Sequence, residues 1–323
     1  MVTVQPHARR RGLGRLLTSR RWRRAMAAYA FIAPWLIGFV FLGVIPLLVG
    51  ILTSMTNYDG LNLPTIKFLG LSNYTRAFSD PDVRFSFGRT LQWSVLNLPA
   101  WMVLSFILAL ILNQEVAGRG VFRTMYYLPS IVPAVATVWV WKIFLDRNYG
   151  LLNGMISVFR PGTAIPWLSD HALLGLTAIS IWGGLGGGMV ILLAGLQGIP
   201  DELIDAARID GANSFQVFLK VTIPLMTPVI FFQLINGLIG SFQQLVIPLL
   251  LTGGGSSGQP PVPPRSVYLY MIHVNRQIFN LQRFGYGTAL LWLLFIVIMA
   301  LTLLVFRTAR YWVYSEVVPQ EGQ

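Results

Sequence analysis

The chain has 323 residues, of which 54% are hydrophobic and only 11% are charged, and its formal net charge is +12. Soluble domains carry about 25% charged residues, so this composition excludes an ordinary soluble protein and predicts an integral membrane protein. The chain has no cysteine, which excludes disulfide frameworks, thiolate nucleophiles and cysteine-ligated metal sites.

The N-terminal segment, residues 1–26, holds eight arginines and no acidic residue. Such a run could be a nucleic-acid-binding arm, but a hydrophobic stretch begins directly after it. That order favours a cytoplasmic arm that contacts anionic lipid headgroups and does not bind nucleic acid. The stretch is longer than the apolar part of a signal peptide, about 7–15 residues, so we expect it to span the membrane and to be retained.

Six stretches are long and apolar enough to cross a bilayer, for which a helix needs about 20 residues. They are residues 27–52, 91–112, 125–145, 172–197, 223–251 and 285–306. If the N-terminus is inside, the inner segments carry 14 basic residues in 80 positions and the outer segments carry 9 in 97. The positive-inside rule therefore predicts an all-α membrane protein with both termini in the cytoplasm. We expect one six-span domain over residues 27–307 and a cytoplasmic tail over residues 308–323.

Two outer connections have distinct compositions. Residues 53–90 are predicted to form short helices on the membrane surface. Residues 253–265, with the sequence GGGSSGQPPVPPR, are predicted to be flexible at first and then stiffened by prolines.

Motifs that would supply energy directly are not found in the sequence. Only three lysines occur, and none completes the phosphate-binding pattern G-x-x-x-x-G-K-[ST]. The six predicted spans contain no Asp or Glu, whereas proton-coupled carriers and pumps usually place such residues in mid-membrane. We therefore expect no cofactor in this chain and no ATP hydrolysis by it.

A glycine-rich run, Trp182 to Gly188, lies inside the fourth predicted span. Gly183 and Gly187, and likewise Gly184 and Gly188, are small residues four positions apart, a spacing that lets two helices approach closely. The glycines serve either helix packing or a translocation path that needs room, and the sequence alone leaves both interpretations open.

Residues 198–222 are predicted to be a cytoplasmic helix–turn–helix. Pro200 suits a first helical turn, Asp201 and Glu202 complement a helix N-terminus, and Gly211 can stop the helix. Asn213 or Ser214 can cap the helix that follows.

The same loop carries an acid and two alanines, then Asp-Gly-Ala, then an aliphatic residue and proline. These are Asp205, Ala206, Ala207, Asp210, Gly211, Ala212, Ile223 and Pro224. The pattern resembles the signature loop of ABC importer permeases, although that family usually has Glu at the first acid and Leu before the proline. Further segments are similar to the sugar-uptake branch of this family, namely Phe68–Tyr74, Leu128–Lys142, Gly150–Asn153, Leu251–Gly255, Tyr268–Tyr270 and Phe284–Gly287. Only about the first 25 residues match nothing specific.

The resemblance implies the type I ABC importer permease fold in the inner membrane of a prokaryote. It implies a second, similar permease, two ATPase subunits that bind ATP and magnesium, an extracytoplasmic solute-binding protein and a sugar substrate. In such importers the signature loop docks into a cleft of the ATPase. The loop residues Asp205, Ala206, Ala207, Asp210, Gly211 and Ala212 would then form the docking site.

The resemblance also implies where substrate passes. In maltose-type permeases, sugar contacts cluster on the fourth and fifth spans described above, and motif spacing carries them onto Trp182, Gly183, Gly184, Gly187, Gly237, Gly240, Ser241 and Gln244. Gly187, Gly237 and Gly240 replace larger side chains, which leads to the hypothesis of a roomier cavity. With Asn236 and Gln243 as further polar groups, the predicted substrate path comprises Trp182, Gly183, Gly184, Ser241, Gln243 and Gln244.

Two other functions remain open from composition alone. A membrane enzyme acting on lipid-linked sugars could use acids in the outer segments, namely Asp59, Asp80, Asp82, Asp146 and Asp170. A passive channel would need no catalytic group. Neither alternative accounts for the signature loop.

Overall fold

The computed structural model describes residues 20–115, 117–252 and 264–314, and the regular elements in these ranges are helices. Residues 1–19 of the predicted arm, 253–263 of the second outer connection and 315–323 of the predicted tail lie outside the described residues. The expectations for those segments remain predictions.

The helices include long apolar elements and shorter ones that connect or flank them. The first seven α-helices are α1 (Arg20–Phe39), α2 (Ile45–Ser54), α3 (Ser72–Ser79), α4 (Pro81–Asn113), α5 (Arg119–Ile131), α6 (Ala134–Phe144) and α7 (Leu151–Phe159). The others are α8 (Ala172–Gln197), α9 (Asp201–Ile209), α10 (Ser214–Val217), α11 (Ile223–Phe242), α12 (Val246–Thr252), α13 (Tyr270–Asn275) and α14 (Phe284–Ala309). Among the described residues, five helical units are long and apolar enough to cross a membrane, or six if one bent pair counts as a span.

The bent pair corrects the third predicted span, which we expected to be one helix over residues 125–145. Helices α5 and α6 meet there at 99°. Val132 between them is extended, with φ −68° and ψ 130°. The ring of Pro133 disfavours a helical conformation at the preceding residue, and proline has no N–H to continue the helical hydrogen bonds.

Two further spans have different bounds from the predicted ones. Helix α4 begins at Pro81, ten residues before the apolar stretch, because the Asp80 carboxylate accepts the Asp82 N–H at 2.9 Å and caps the helix. Helix α11 ends at Phe242, so the predicted fifth span is interrupted at residues 243–245 before α12 begins.

Two prolines near the start of long helices are preceded by π-helical turns. Val40–Val44 precede Pro46, and Phe218–Thr222 precede Pro224. A proline ring collides with the carbonyl four residues earlier in a regular α-helix. The wider π turn relieves that collision, so the helix continues across each proline.

The core forms where α4 packs along α8 and α11 packs against both. One buried cluster joins Leu108 and Leu112 of α4 to Met189 and Leu192 of α8 and to Met226 of α11. A second joins the other end of α4, at Trp93, to Leu176 of α8 and to residues 267–272. The two clusters lie at different levels along these helices, and the cavity described below lies between them.

The predicted short helices in residues 53–90 are confirmed as α3 and a 3₁₀ turn at Leu63–Thr65. The connection is held to the end of α2 by Asn73, whose buried side-chain amide donates to the carbonyls of Ser54 and Thr56, both at 2.8 Å.

Candidate functional site

Residues 201–217 form a helix, a four-residue turn over residues 210–213 and a second helix. Helix α9 ends at Ile209, and Gly211 two residues later has φ +84°, a conformation that glycine adopts without steric cost. The N–H of Gly211 donates to the carbonyl of Arg208, and the N–H of Ala212 donates to that of Ala207, both at 3.0 Å. These two bonds are the Schellman motif, so the spacing from Ala207 to Ala212 is that of a helix C-terminal cap.

The second helix, α10, also begins with a defined cap. The Asn213 side chain accepts the Gln216 N–H at 2.9 Å, and the Gln216 side chain accepts the Asn213 N–H at 2.8 Å. This reciprocal pair is a capping box. Pro200, predicted for the first turn of α9, instead lies one position earlier, as the extended residue before that turn. The turn between α9 and α10 is therefore fixed on both sides.

Helix α10 continues through the π turn Phe218–Thr222 into α11 without a break. At 1.5 Å per residue, the helical path from Ser214 to Gly240 is roughly 40 Å long. A force applied to the turn would therefore reach the far end of α11 through one continuous helix.

The turn borders a groove of about 380 Å³ lined in part by Ala207, Asp210, Gly211 and Ala212. Four of the six predicted docking residues therefore share one concave surface. The other two, Asp205 and Ala206, are exposed on α9. Asp205 pairs with Arg208 at 3.3 Å, and an exposed pair of this kind contributes little to stability.

Two large apolar side chains beside this groove are exposed. Ile209 is 86% exposed and Phe215 is 67% exposed. Both lie in the polar connection between α8 and α11, outside the apolar stretches, so lipid does not account for their exposure. Exposed apolar groups beside a groove are typical of protein-binding surfaces, and the sequence interpretation, based on the alanines and the glycine, did not include them.

A cavity of about 340 Å³ lies between α4, α8 and α11, and none of its lining residues is charged. It is lined by Trp93, Asn97, Leu98, Trp101, Ser180, Gly184, Asn236, Gly237, Gly240, Ser241 and Gln244. The Gln244 side-chain amide donates to the Ser180 hydroxyl at 3.3 Å, which joins the break after α11 to α8.

The structure brings together three of the six predicted substrate-path residues, Gly184, Ser241 and Gln244, in this cavity. Trp182 lies in a separate cleft against α5, with its ring 5.9 Å from that of Trp141. Gly183 faces open space. Gln243 is exposed and does not line the cavity.

The two glycine pairs of α8 have different surroundings. A Cβ on Gly184 would lie 3.1 Å from the Nε1 atom of Trp101, and a Cβ on Gly188 would lie 2.6 Å from the Ser105 hydroxyl. That pair packs against α4. A Cβ on Gly183 or Gly187 would meet nothing within 4 Å, so that pair leaves room.

The roomier cavity stays a hypothesis, and the glycines on which it rests have different surroundings. A Cβ on Gly240 would meet nothing within 4 Å. A Cβ on Gly237 would collide with the side chain of Leu98, so the missing side chain there makes room for a residue of α4.

Sequence reasoning missed the contribution of α4 to the cavity. Trp93, Asn97 and Trp101 are spaced four residues apart and therefore share one face of the helix. An aromatic–amide–aromatic stripe within an apolar span was a signal that could have identified them, because buried amides and indoles need hydrogen-bond partners.

The outer acids stabilise local structure. The N–H groups of Asn62 and Leu61 bond to Asp59 and lower its pKa to about 2. The N–H groups of Tyr149 and Asn148 lower the pKa of Asp146 in the same way. Asp82 pairs with Arg265 at 3.4 Å, and Asp170 accepts the Ser169 hydroxyl at 3.0 Å. With Asp80 as the cap of α4, each of the five acids proposed for the alternative enzyme has a structural partner.

Comparison with known proteins places these features in context. Residues 89–316 match the family described as "Binding-protein-dependent transport system inner membrane component". The chain is 33% identical over 295 residues to the probable ABC transporter permease protein YesP of Bacillus subtilis strain 168, covering 90% of this chain and 93% of that protein. It is 30% identical over 298 residues to the trehalose/maltose transport system permease protein MalF of Thermococcus litoralis, covering 91% and 98%.

Solved structures give the same fold. A chain of a bacterial alginate ABC transporter, crystallised with a periplasmic protein bound to alginate pentasaccharide, superposes with a TM-score of 0.77 and 19% identity, covering 91% of this chain and 97% of that one. A second structure of a bacterial ABC transporter, one involved in alginate import, gives a TM-score of 0.73 and 21% identity, covering 90% and 99%.

Proposed function

Because this chain belongs to the family of binding-protein-dependent transport system inner membrane components, and is thus the permease subunit of an ABC importer, we propose that it carries a sugar or an oligosaccharide through the cavity between α4, α8 and α11. The chain is a transport subunit, and hydrolysis of ATP takes place on a separate subunit in these systems. The alternatives of a membrane enzyme and of a passive channel are therefore wrong.

The chemistry of the cavity supports a neutral, polyhydroxylated substrate. Two indole rings offer apolar faces on which a sugar ring can stack, and Asn97, Asn236 and Gln244 offer amide groups for hydroxyls. The absence of charge from its lining disfavours an ionic solute. The relative from T. litoralis is named for trehalose and maltose, and two others are named for maltodextrin and for starch degradation products.

We propose a multi-pass topology in a prokaryotic plasma membrane, with six spans and both termini in the cytoplasm. The bent pair α5–α6 would be the third span, since its halves together meet the length and hydropathy that a crossing requires. The excess of basic residues in the inner segments supports this orientation.

The single observation that carries the proposal is the helical path from the capped turn to the cavity. The turn presents a groove and exposed apolar groups suited to a protein partner, and α11 extends from it to Gly240 and Ser241. In the proposed complex, two ATPase subunits bind ATP and magnesium, and one docks at residues 198–222. A second, similar permease completes the path, and an extracytoplasmic binding protein delivers the sugar.

The experiment compares two glycines of matched conformation. Gly211 and Gly162 have φ +84° and +81°, and a Cβ on either meets nothing within 4 Å. Asparagine tolerates this conformation, so both variants are expected to fold. In proteoliposomes with the ATPase, the partner permease and the binding protein, Gly211→Asn should reduce maltose or trehalose uptake at least tenfold and weaken co-purification of the ATPase. Gly162→Asn should change neither, and wild-type uptake by Gly211→Asn would overturn the proposal.

A further inference from the structure

The cavity-facing stripe of α4, defined as Trp93, Asn97 and Trp101, carries polar atoms that are unpaired. The two indole Nε1 atoms and the Asn97 Oδ1 atom are shielded from solvent and have no hydrogen-bond partner in the described parts of the chain. Trp93 is only 2% exposed. All three residues line the same cavity.

Unpaired buried polar atoms are costly and uncommon. A buried donor or acceptor without a partner destabilises a protein by about 1–3 kcal/mol, and the large majority of such groups in native proteins are satisfied. Phenylalanine would fill much of the volume of either indole without the unpaired N–H. Three unpaired atoms on residues that share one helix face and line one cavity therefore indicate a partner outside the described parts of the chain.

We propose that the stripe of α4 is a third wall of the translocation site, in which the Trp93 and Trp101 N–H groups donate to, and the Asn97 carbonyl accepts from, the hydroxyls of a passing neutral sugar. Stacking on the indole faces supplies the apolar contact, and hydroxyls supply the matching acceptors and donors. The inference rests on the proposed function and extends it to a helix that motif comparison did not select.

The surroundings of Trp101 tie this wall to the coupling path. Its ring lies over the bare backbone of Gly184 and Gly188 on α8 and of Gly237 on α11. A ligand reaches the shielded Nε1 atom only when α8 or α11 moves away from α4. Because α11 is continuous with the docking turn, a movement of that turn would also move α11 and would expose the stripe during transport.

The test measures sugar transported per ATP hydrolysed, at saturating binding protein loaded with maltose, trehalose or maltotriose. Trp101→Phe and Asn97→Leu should each lower this ratio about 3- to 10-fold, the effect of one lost hydrogen bond, while ATP hydrolysis continues. Trp35→Phe, which removes an indole that is 67% exposed on α1, is the matched control and should keep the wild-type ratio. Because the Asn97 Oδ1 atom has no partner in the described chain, Asn97→Leu, which keeps a similar volume, should not lower the thermal unfolding midpoint.

The outcomes separate the inference from the proposed function. Wild-type ratios for both Trp101→Phe and Asn97→Leu, with normal uptake by the wild type, would overturn this inference alone. Failure of the wild-type complex to import any of the three sugars would overturn the proposed substrate class and this inference with it. A variant that lost transport only through unfolding would show a lowered midpoint, and that result would assign the stripe a structural role and overturn the inference.

Discussion

The buried side-chain amide of Gln233 donates a hydrogen bond of 3.0 Å to the main-chain carbonyl of Gly188. This bond joins α11 to α8, the two helices that enter and leave the docking turn, within the apolar layer. It lies between the turn and the cavity, so it keeps the two helices together where a force from the turn would pass.

Gln233→Met keeps a similar volume and removes this bond. Interhelical hydrogen bonds in membrane proteins contribute about 0.6 to 1.7 kcal/mol, so we expect a small decrease in the thermal unfolding midpoint in detergent and partial loss of coupling between ATP hydrolysis and uptake. Gln92→Met, at an exposed position of α4, is the control. An unchanged midpoint together with unchanged coupling would show that the bond contributes nothing.

Adjacent glycines of α8 should respond oppositely to alanine. A Cβ on Gly186 would collide with the main-chain oxygen of Tyr126 on α5, whereas a Cβ on Gly187 would meet nothing within 4 Å. Gly186→Ala should therefore destabilise the protein by about 1–3 kcal/mol. Gly187→Ala should be neutral or slightly stabilising, because alanine favours helix over glycine by about 1 kcal/mol. Thermal unfolding followed by size-exclusion chromatography compares the two, and equal midpoints would contradict the packing of α5 on α8.

The docking surface should depend on its exposed apolar side chains. Ile209 is 86% exposed, so Ile209→Glu should leave the unfolding midpoint of the isolated chain unchanged. It should weaken binding of the ATPase by about 2 kcal/mol or more, the size expected of a central contact residue. Leu61→Glu, at a 69% exposed site in an outer connection, is the control. Full retention of the ATPase by Ile209→Glu on an affinity column would exclude Ile209 from the interface.

The cap of α4 should make stability sensitive to acid. Burial raises the pKa of Asp80, but hydrogen bonds from the Tyr286 hydroxyl and the Asp82 N–H outweigh it, and the net pKa is below the ordinary value. A carboxyl with a lowered folded-state pKa stabilises the protein above its unfolded pKa, about 4, and this stabilisation is lost as pH falls through the lower folded value.

Asp80→Asn keeps a good N-cap residue and removes the charge. The unfolding midpoint of this variant should therefore decrease less than that of the wild type as pH is lowered below about 4. Asp170→Asn, which removes an outer acid that does not cap α4, should keep the wild-type profile. Identical acid profiles for Asp80→Asn and the wild type would show that the cap does not titrate.

Much of this architecture could be predicted from the sequence, because apolar length marks membrane helices and because caps and turns use recognisable residues. Gly211 and Asn213 occupy the positions that their chemistry requires. The break at Val132 was missed because a count of apolar residues does not register a proline that turns the chain within a hydrophobic run. The four-residue spacing of the α4 stripe is visible in the sequence, but the packing of Trp101 against Gly184 and Gly237 joins three helices distant in sequence, and no local pattern encodes that contact.

The most direct test of the account follows a single thiol in the cavity during coupling. The chain has no cysteine, and a Cβ on Gly240 meets nothing within 4 Å, so Gly240→Cys places one reporter thiol beside Ser241 in an otherwise cysteine-free permease chain. A non-hydrolysable ATP analogue should change its rate of labelling by a water-soluble maleimide several-fold, and the change should vanish when Gly211→Asn is added. A labelling rate that ignores the nucleotide, or that responds equally in the double variant, would contradict coupling of the docking turn to the cavity through α11.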